Sequence, residues 1–275
     1  MSNSRRSSAK FWILSSVVVI ASGAALACLW PTVRAQAATT SVQFVKQAGD
    51  TDGGEAWSDY QLATWLNPGN KSAYLGLAAS QLAGGRASAA LSSLHGAGQG
   101  STVLRLKVRA LIETGKYTEA QSDAGKLVSL ANPPQADLVL AALADSLKGD
   151  SSDIVAITPR LSSPEAAELV TRAKSGNLPL AAALYATGLL NSSSAILTKI
   201  PSSFESDLLL AKIDYQWGTP RDLNRAAGLL QTATLMDPSS PAPRQLLVTI
   251  YRDENKFTLA DNQQALVNKL TTGQP

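Results

Sequence analysis

The sequence predicts an all-α protein: an α/α solenoid of about six to seven antiparallel helical hairpins, preceded by a single transmembrane helix. Three observations carry this prediction: an uncharged apolar run near the N-terminus, apolar residues at helical spacing along the rest of the chain, and short breaks rich in Gly, Pro, Asn and Ser. We expect five segments in the 275 residues: a cytoplasmic basic tail (1–10), a membrane segment (11–30), a linker (31–38), a repeat domain (39–270) and a flexible tail (271–275).

The basic residues are concentrated at the N-terminus. The formal charge is +3 and the isoelectric point is near 9.0, but no acidic residue precedes Asp50. Arg5, Arg6 and Lys10 alone account for the excess, and the part after Pro31 is neutral. The high isoelectric point therefore reflects membrane topology, and we expect no nucleic-acid partner.

Residues 11–30 form the predicted membrane segment. They carry no charge, and at about 1.5 Å per residue a helix of this length spans the roughly 30 Å hydrocarbon core. The positive residues before this segment keep the N-terminus in the cytoplasm by the positive-inside rule. Everything after Pro31 is then extracytoplasmic.

The same segment also has features of a cleaved signal peptide. Ala35-Gln36-Ala37 is a small-x-small site, and Pro31 lies just before it. Cleavage there would release a secreted protein beginning at Ala38. The apolar run is longer than the usual core of about 7–15 residues, which favours an anchor, and both outcomes stay open.

A hairpin is visible between residues 103 and 134. Leu104, Val108 and Leu111 lie at spacings that place them on one helical face, and Gly115 supplies the stop. A second apolar-periodic stretch follows and ends before Asn132-Pro133-Pro134. This order predicts two antiparallel helices joined by a tight glycine turn.

Similar hairpins recur along the chain. The turn at 85–90 parallels those at 115–120 and 255–260, where Asn255 takes the position of the left-handed glycine. Residues 63–68 and 233–238 are also alike and lie 170 residues apart, which is five times 34. A repeat of about 34 residues, with slippage, follows from these spacings.

These features resemble the tetratricopeptide repeat family, whose 34-residue pattern is Trp-x2-Leu-Gly-x2-Tyr, then Ala-x3-Phe, then Pro. Three parts of the chain match portions of it: Ala56, Tyr60, Ala63 and Pro68; Ala226, Leu230, Ala233 and Pro238; and Leu247, Val248, Tyr251, Phe257 and Ala260. No unit has the full Trp-Leu-Gly-Tyr set, and residues 150–205 match poorly.

The resemblance implies a concave groove that is lined by the first helix of each hairpin and holds a protein or peptide partner. Arg105 and Arg109 share one such helix at i, i+4, and Gln245, Thr249 and Arg252 run along the last complete unit. Arginines in a groove are suited to an acidic segment or a C-terminal carboxylate. The same spacing also describes an ordinary solvated helix face.

The composition excludes much catalytic chemistry. With one Cys and one His, the chain forms no internal disulfide and no Cys/His zinc site. Residues 95–100 imitate a phosphate loop without the βαβ context, and we expect a flexible link. Residues 50–55 lack the distal Glu of a calcium loop, and Glu165 and Glu168 are one turn apart rather than facing across a cleft. We predict no catalytic residues, metal, cofactor or small-molecule substrate.

The sequence thus predicts a membrane-anchored extracytoplasmic scaffold, of bacterial type, that mediates protein–protein interactions in cell-envelope assembly. The alternatives are a secreted binding module released after Ala37, an enzyme with an unrecognised carboxylate or serine site, and a purely structural spacer. An enzyme would show titratable residues converging in a cleft.

Overall fold

The computed structural model describes residues 26–49, 53–149 and 152–272. This part of the chain is all-α and contains no strand. A short 3₁₀ turn, Thr158–Arg160, follows the eighth helix. The fifteen helices are α1 (Leu26–Gly49), α2 (Gly53–Leu66), α3 (Lys71–Ala83), α4 (Ala87–Leu94), α5 (Ser101–Glu113), α6 (Tyr117–Val128), α7 (Gln135–Lys148), α8 (Ser152–Ile157), α9 (Pro164–Lys174), α10 (Asn177–Ala186), α11 (Leu190–Leu197), α12 (Phe204–Trp217), α13 (Pro220–Met236), α14 (Ala242–Asp253) and α15 (Phe257–Thr272).

The helices pack in pairs, an arrangement consistent with a helical solenoid. Among the described residues there are seven pairs: α1 with α2, α3 with α4, α5 with α6, α7 with α9, α10 with α11, α12 with α13, and α14 with α15. The first helix of each pair also contacts the first helix of the next pair, from α1 through to α14. The first helices therefore form one layer, and each second helix up to α13 also packs against the first helix of the next pair.

The fourth pair is interrupted. Its helices α7 and α9 pack together, while α8 and the 3₁₀ turn are inserted between them. Gly149 ends α7 in the left-handed conformation, and Ser163 begins α9 by accepting the backbone N–H of Ala166. This insertion breaks a 34-residue spacing at the start of residues 150–205, the range that matches the pattern poorly.

Four of the pairs are joined by the same turn. Its central residue has a positive φ and is Gly85, Gly115, Gly188 or Asn255. In each turn the next residue donates its N–H to the carbonyl oxygen five positions earlier, at distances from 2.7 to 2.9 Å. This is the hydrogen bond of a Schellman motif. The expected left-handed position of Asn255 is confirmed.

A small residue lies five positions after each of these turn residues. These are Ala90, Ala120, Ser193 and Ala260, and all are 0% exposed. Small side chains let the second helix of the pair approach its neighbours closely, and the larger apolar residues fill the seams between helices. The turn and the buried small residue together define a structural repeat.

The largest cluster of buried apolar residues runs from α5 to α10. It begins at Val108, includes Leu127 and Leu143, and ends at Leu184 and Leu189. Because it crosses the interrupted fourth pair, the insertion does not divide the core. Stacked pairs share a continuous core in this way because a single helical hairpin cannot bury its apolar face alone.

The structure covers only part of the N-terminal region in which we predicted a membrane segment and a linker. Most of the predicted membrane segment, residues 11–25, lies outside the described residues. The expected linker over 31–38 lies within α1, which runs through Pro31. In the ranges that the structure covers, no helix is both long enough and apolar enough to cross a membrane.

Candidate binding surfaces

Arg105 points from α5 toward α7. Its Nη2 donates to Oδ2 of Asp137 at 2.8 Å, and its Nε donates to the other carboxylate oxygen. Asp137 is fully buried, and its hydrogen bond raises the pKa of the Arg105 guanidinium. Because two of its N–H groups bind one carboxylate, Arg105 links two consecutive first helices, α5 and α7.

Arg109 lies one turn further along α5 but has different surroundings. A Cβ atom added to Gly188 would lie 3.2 Å from its Nη2 atom, so the guanidinium packs against the turn between α10 and α11. Burial lowers the pKa of Arg109, and the charge of Glu113 opposes that effect. The two arginines that the sequence grouped together therefore contact different helices.

Glu113 sits where the third pair meets the fifth. Its Oε2 accepts the backbone N–H of Asn191 at 2.8 Å. Ser192 Oγ donates to the carbonyl oxygen of Ile112 at 2.9 Å, and Asn191 Nδ2 donates to that of Gly85 at 3.2 Å. These hydrogen bonds bring the turns of the second, third and fifth pairs to one junction.

The environment of Glu113 disfavours its charged form. Burial raises the pKa of Glu113 to about 7, against the lowering effects of the Asn191 and Ser192 backbone and of Arg109. Its Oε1 atom is buried and has no hydrogen-bond partner. The pKa of the nearby Tyr117 is raised, first by burial and then by Glu113. We therefore expect the junction to respond to pH near neutrality.

Gln245, Thr249 and Arg252 form an exposed row on α14. Thr249 Oγ1 donates to the carbonyl oxygen of Gln245 at 3.2 Å, while Leu247 and Tyr251 are buried on the opposite side of the helix. Helix α14 packs with α12, α13 and α15, whereas α5 packs with α3, α4, α6, α7 and α11. The structure therefore does not bring this row together with Arg105 and Arg109.

A cleft of about 590 Å³ lies between α4, α5 and α6. Residues 95–100, which we expected to be a flexible link, form one wall of this cleft. Lys107, Asp123 and Lys126 lie at the polar end. The i, i+3 spacing of Asp123 and Lys126 signals a local pair, but no sequence pattern places Lys107 beside them.

The other sequence candidates remain on the surface or lie outside the described residues. His95 is exposed, and its Nδ1 atom is 2.9 Å from the Leu91 carbonyl oxygen. Glu165 is held by Ser163, whose hydrogen bond lowers its pKa, and Glu168 pairs with Arg172 on the same helix. Residues 50–52 are not described. Within the part of the chain that is, no three His, Cys, Asp or Glu residues converge as metal ligands would.

Comparison with known proteins gives no identity for the chain. No family model matches it, and none of the curated proteins is similar enough to count as a relative.

Proposed function

We propose that this protein is a membrane-anchored extracytoplasmic scaffold that binds other proteins through the layer of first helices, in cell-envelope assembly. The observation that carries the proposal is the unbroken series of contacts between first helices from α1 to α14. Such a layer presents one extended surface on which a partner segment contacts several pairs at once.

Two structural features support the tetratricopeptide resemblance. The turns at Gly85, Gly115, Gly188 and Asn255 share one hydrogen-bond pattern. A buried small residue follows each turn at the place where the family pattern has its conserved alanine. On this proposal the seven pairs are tetratricopeptide-like units, and the fourth carries an insertion.

The row on α14 is the best supported contact surface for a partner. Its three side chains are exposed, and Arg252 makes no ion pair among those found in the described residues. Arg105 and Arg109, by contrast, are engaged within the protein. An exposed arginine on a first helix is suited to a carboxylate of a partner protein or peptide.

The membrane part of the proposal rests on the sequence. The uncharged residues 11–30 and the basic residues before them support a single-pass anchor with its N-terminus in the cytoplasm. The alternative is a secreted form that begins at Ala38. The binding surface is the same in both forms.

Charge reversal on α14 tests the proposal. We expect Arg252→Glu to remove specific proteins from a crosslinking pull-down performed in intact cells that produce the protein. Arg221→Glu, a charge reversal at another exposed arginine on the second helix α13, is the control and should leave the captured set unchanged. If both variants capture the same proteins as the wild type, the α14 surface does not bind the partner.

A further inference from the structure

The cleft between α4, α5 and α6 combines an apolar half with a cationic end. Its apolar half is formed by Leu91 and Leu94 of α4 and by Val103 and Leu104 of α5. Leu91 packs against two of the buried apolar clusters, so the cleft lies at the seam between the second and third helix pairs. Its volume of about 590 Å³ is within the range of small-molecule sites.

The cationic end is built on one carboxylate. Lys107 Nζ lies 2.7 Å from Oδ2 of Asp123, and Lys126 Nζ lies 2.5 Å from Oδ1. The Asp123 side chain is 7% exposed, whereas the lysines are 47% and 63% exposed. Two ammonium groups against one carboxylate leave an excess positive charge at this end, and each ammonium keeps donors beyond its bond to Asp123.

The pKa of Asp123 reflects the same arrangement. Burial acts to raise it, but the hydrogen bonds and charges of Lys107 and Lys126 outweigh burial and hold it below its usual value. Asp123 therefore stays ionised at neutral pH and fixes the two ammonium groups. The cationic end is preorganised for an anion.

A glycine-rich link forms one wall of the cleft. Gly96 lies against the ring of Tyr74, where an added Cβ atom would come within 2.6 Å of the ring carbons. Gly98 and Gly100 have positive φ angles of 82° and 151°. Gly98 and Gly100 present only backbone to the cleft, and His95 and Gln99 of the same link also line it.

We propose that this cleft binds a single-chain amphiphile with an anionic head group, either a carboxylate or a phosphate monoester. The apolar chain lies along Leu91, Leu94 and Val103, and the head group accepts hydrogen bonds from Lys107 and Lys126. A cationic amphiphile meets repulsion at this end, and a small polyanion leaves the apolar half uncovered.

Titration calorimetry on the full-length protein tests this proposal with defined probes below their micelle concentrations. Dodecanoate and dodecyl phosphate are the two anionic arms, and dodecyltrimethylammonium is the cationic control. We expect saturable one-to-one binding of at least one anionic probe and none of the cationic probe. No saturable anion binding, or equal binding of the cationic probe, overturns the proposal.

Two pairs of variants locate the site. Lys126→Ala should weaken anion binding about fivefold, the size expected for one exposed charge contact, while Lys116→Ala, an exposed lysine outside the cleft, should not. Val103→Thr should weaken binding several-fold by making the apolar half polar, whereas Val155→Thr, at an exposed position of α8 outside the cleft, should have no effect. Equal affinities within each pair place the binding elsewhere and overturn the proposal.

Discussion

Two fully buried aspartates in this protein pair with arginines from neighbouring helices. Asp137 and Asp214 are each fully buried, and each accepts the Nε–H and Nη2–H of one arginine, Arg105 and Arg225 respectively. A buried carboxylate is costly without such a partner. These pairs therefore specify how adjacent helices are placed, in addition to apolar packing.

The Arg105–Asp137 pair gives a first prediction. Arg105→Ala should lower the free energy of unfolding by about 2–4 kcal/mol, because it leaves Asp137 buried without a cation. Arg172→Ala, which removes an exposed pair with Glu168, is the control and should cost less than about 1 kcal/mol. Urea denaturation followed by circular dichroism measures both, and equal costs would contradict the structural role of Arg105.

Glu113 gives a prediction about pH. Its pKa is raised to about 7 in the folded protein, above its unfolded value, so the folded state holds the proton more tightly. The resulting stability is fully present below about pH 4.5 and is lost as the pH rises through about 7. At about 1.4 kcal/mol per pKa unit, the total loss is roughly 3 kcal/mol.

Melting temperatures between pH 5 and 8 check this directly. The wild type should lose stability over this range, whereas Glu113→Gln should show a flatter profile, because an amide does not titrate and still accepts the Asn191 N–H. Parallel profiles for the two proteins would show that Glu113 is not the titrating group.

At the scale of an element, the turn shared by four helix pairs requires a positive φ at its central residue. Gly115 has a φ of 76°, and an added Cβ atom would meet nothing within 4 Å. The cost of Gly115→Ala is therefore conformational, about 1 kcal/mol. Gly125 also has open space but lies inside helix α6, so Gly125→Ala should stabilise by about 0.5–1 kcal/mol. The melting temperature should fall for Gly115→Ala and rise for Gly125→Ala. Shifts of the same sign would contradict the left-handed turn at Gly115 or the helical position of Gly125.

The sequence predicted the turns that are marked by a left-handed residue and a nearby alanine. Gly115 and Asn255 stand out because few residues adopt a left-handed conformation and an alanine follows five positions later in each case. Gly188 has the same conformation, but Ser193 replaces the alanine, so the repeated sequence pattern does not indicate this turn. The repeat period does not predict the insertion at α8 either, because a period cannot indicate where an extra helix is inserted between the two helices of a pair.

At the scale of the whole molecule, the sequence pattern did not predict which residues far apart along the chain contact each other. Arg105 and Asp137 are 32 residues apart, and Glu113 and Asn191 are 78 apart. Helical periodicity predicts which face a residue occupies, but the relative offset of two helices depends on packing. For this reason the fold class followed from the pattern, while the partners of Arg105 and Arg109 did not.

Membrane attachment is a prediction for the entire chain. The full-length protein should sediment with membranes, resist alkaline carbonate extraction and retain its N-terminal basic residues, because residues 11–30 are long and apolar enough to span the bilayer. N-terminal sequencing of the mature protein distinguishes the alternatives. A soluble protein that begins at Ala38 would contradict the anchor and support the secreted form.

The most direct test of the scaffold proposal is site-specific photocrosslinking in intact cells. A photoreactive residue at Thr249 lies on the first helix α14, and one at Thr232 lies on the second helix α13. Both threonines are exposed and donate to the carbonyl oxygen four residues earlier, so they form a matched pair. We predict a discrete crosslinked protein from position 249 and none from position 232. Crosslinks from position 232 alone, or from neither position, would contradict binding through the layer of first helices.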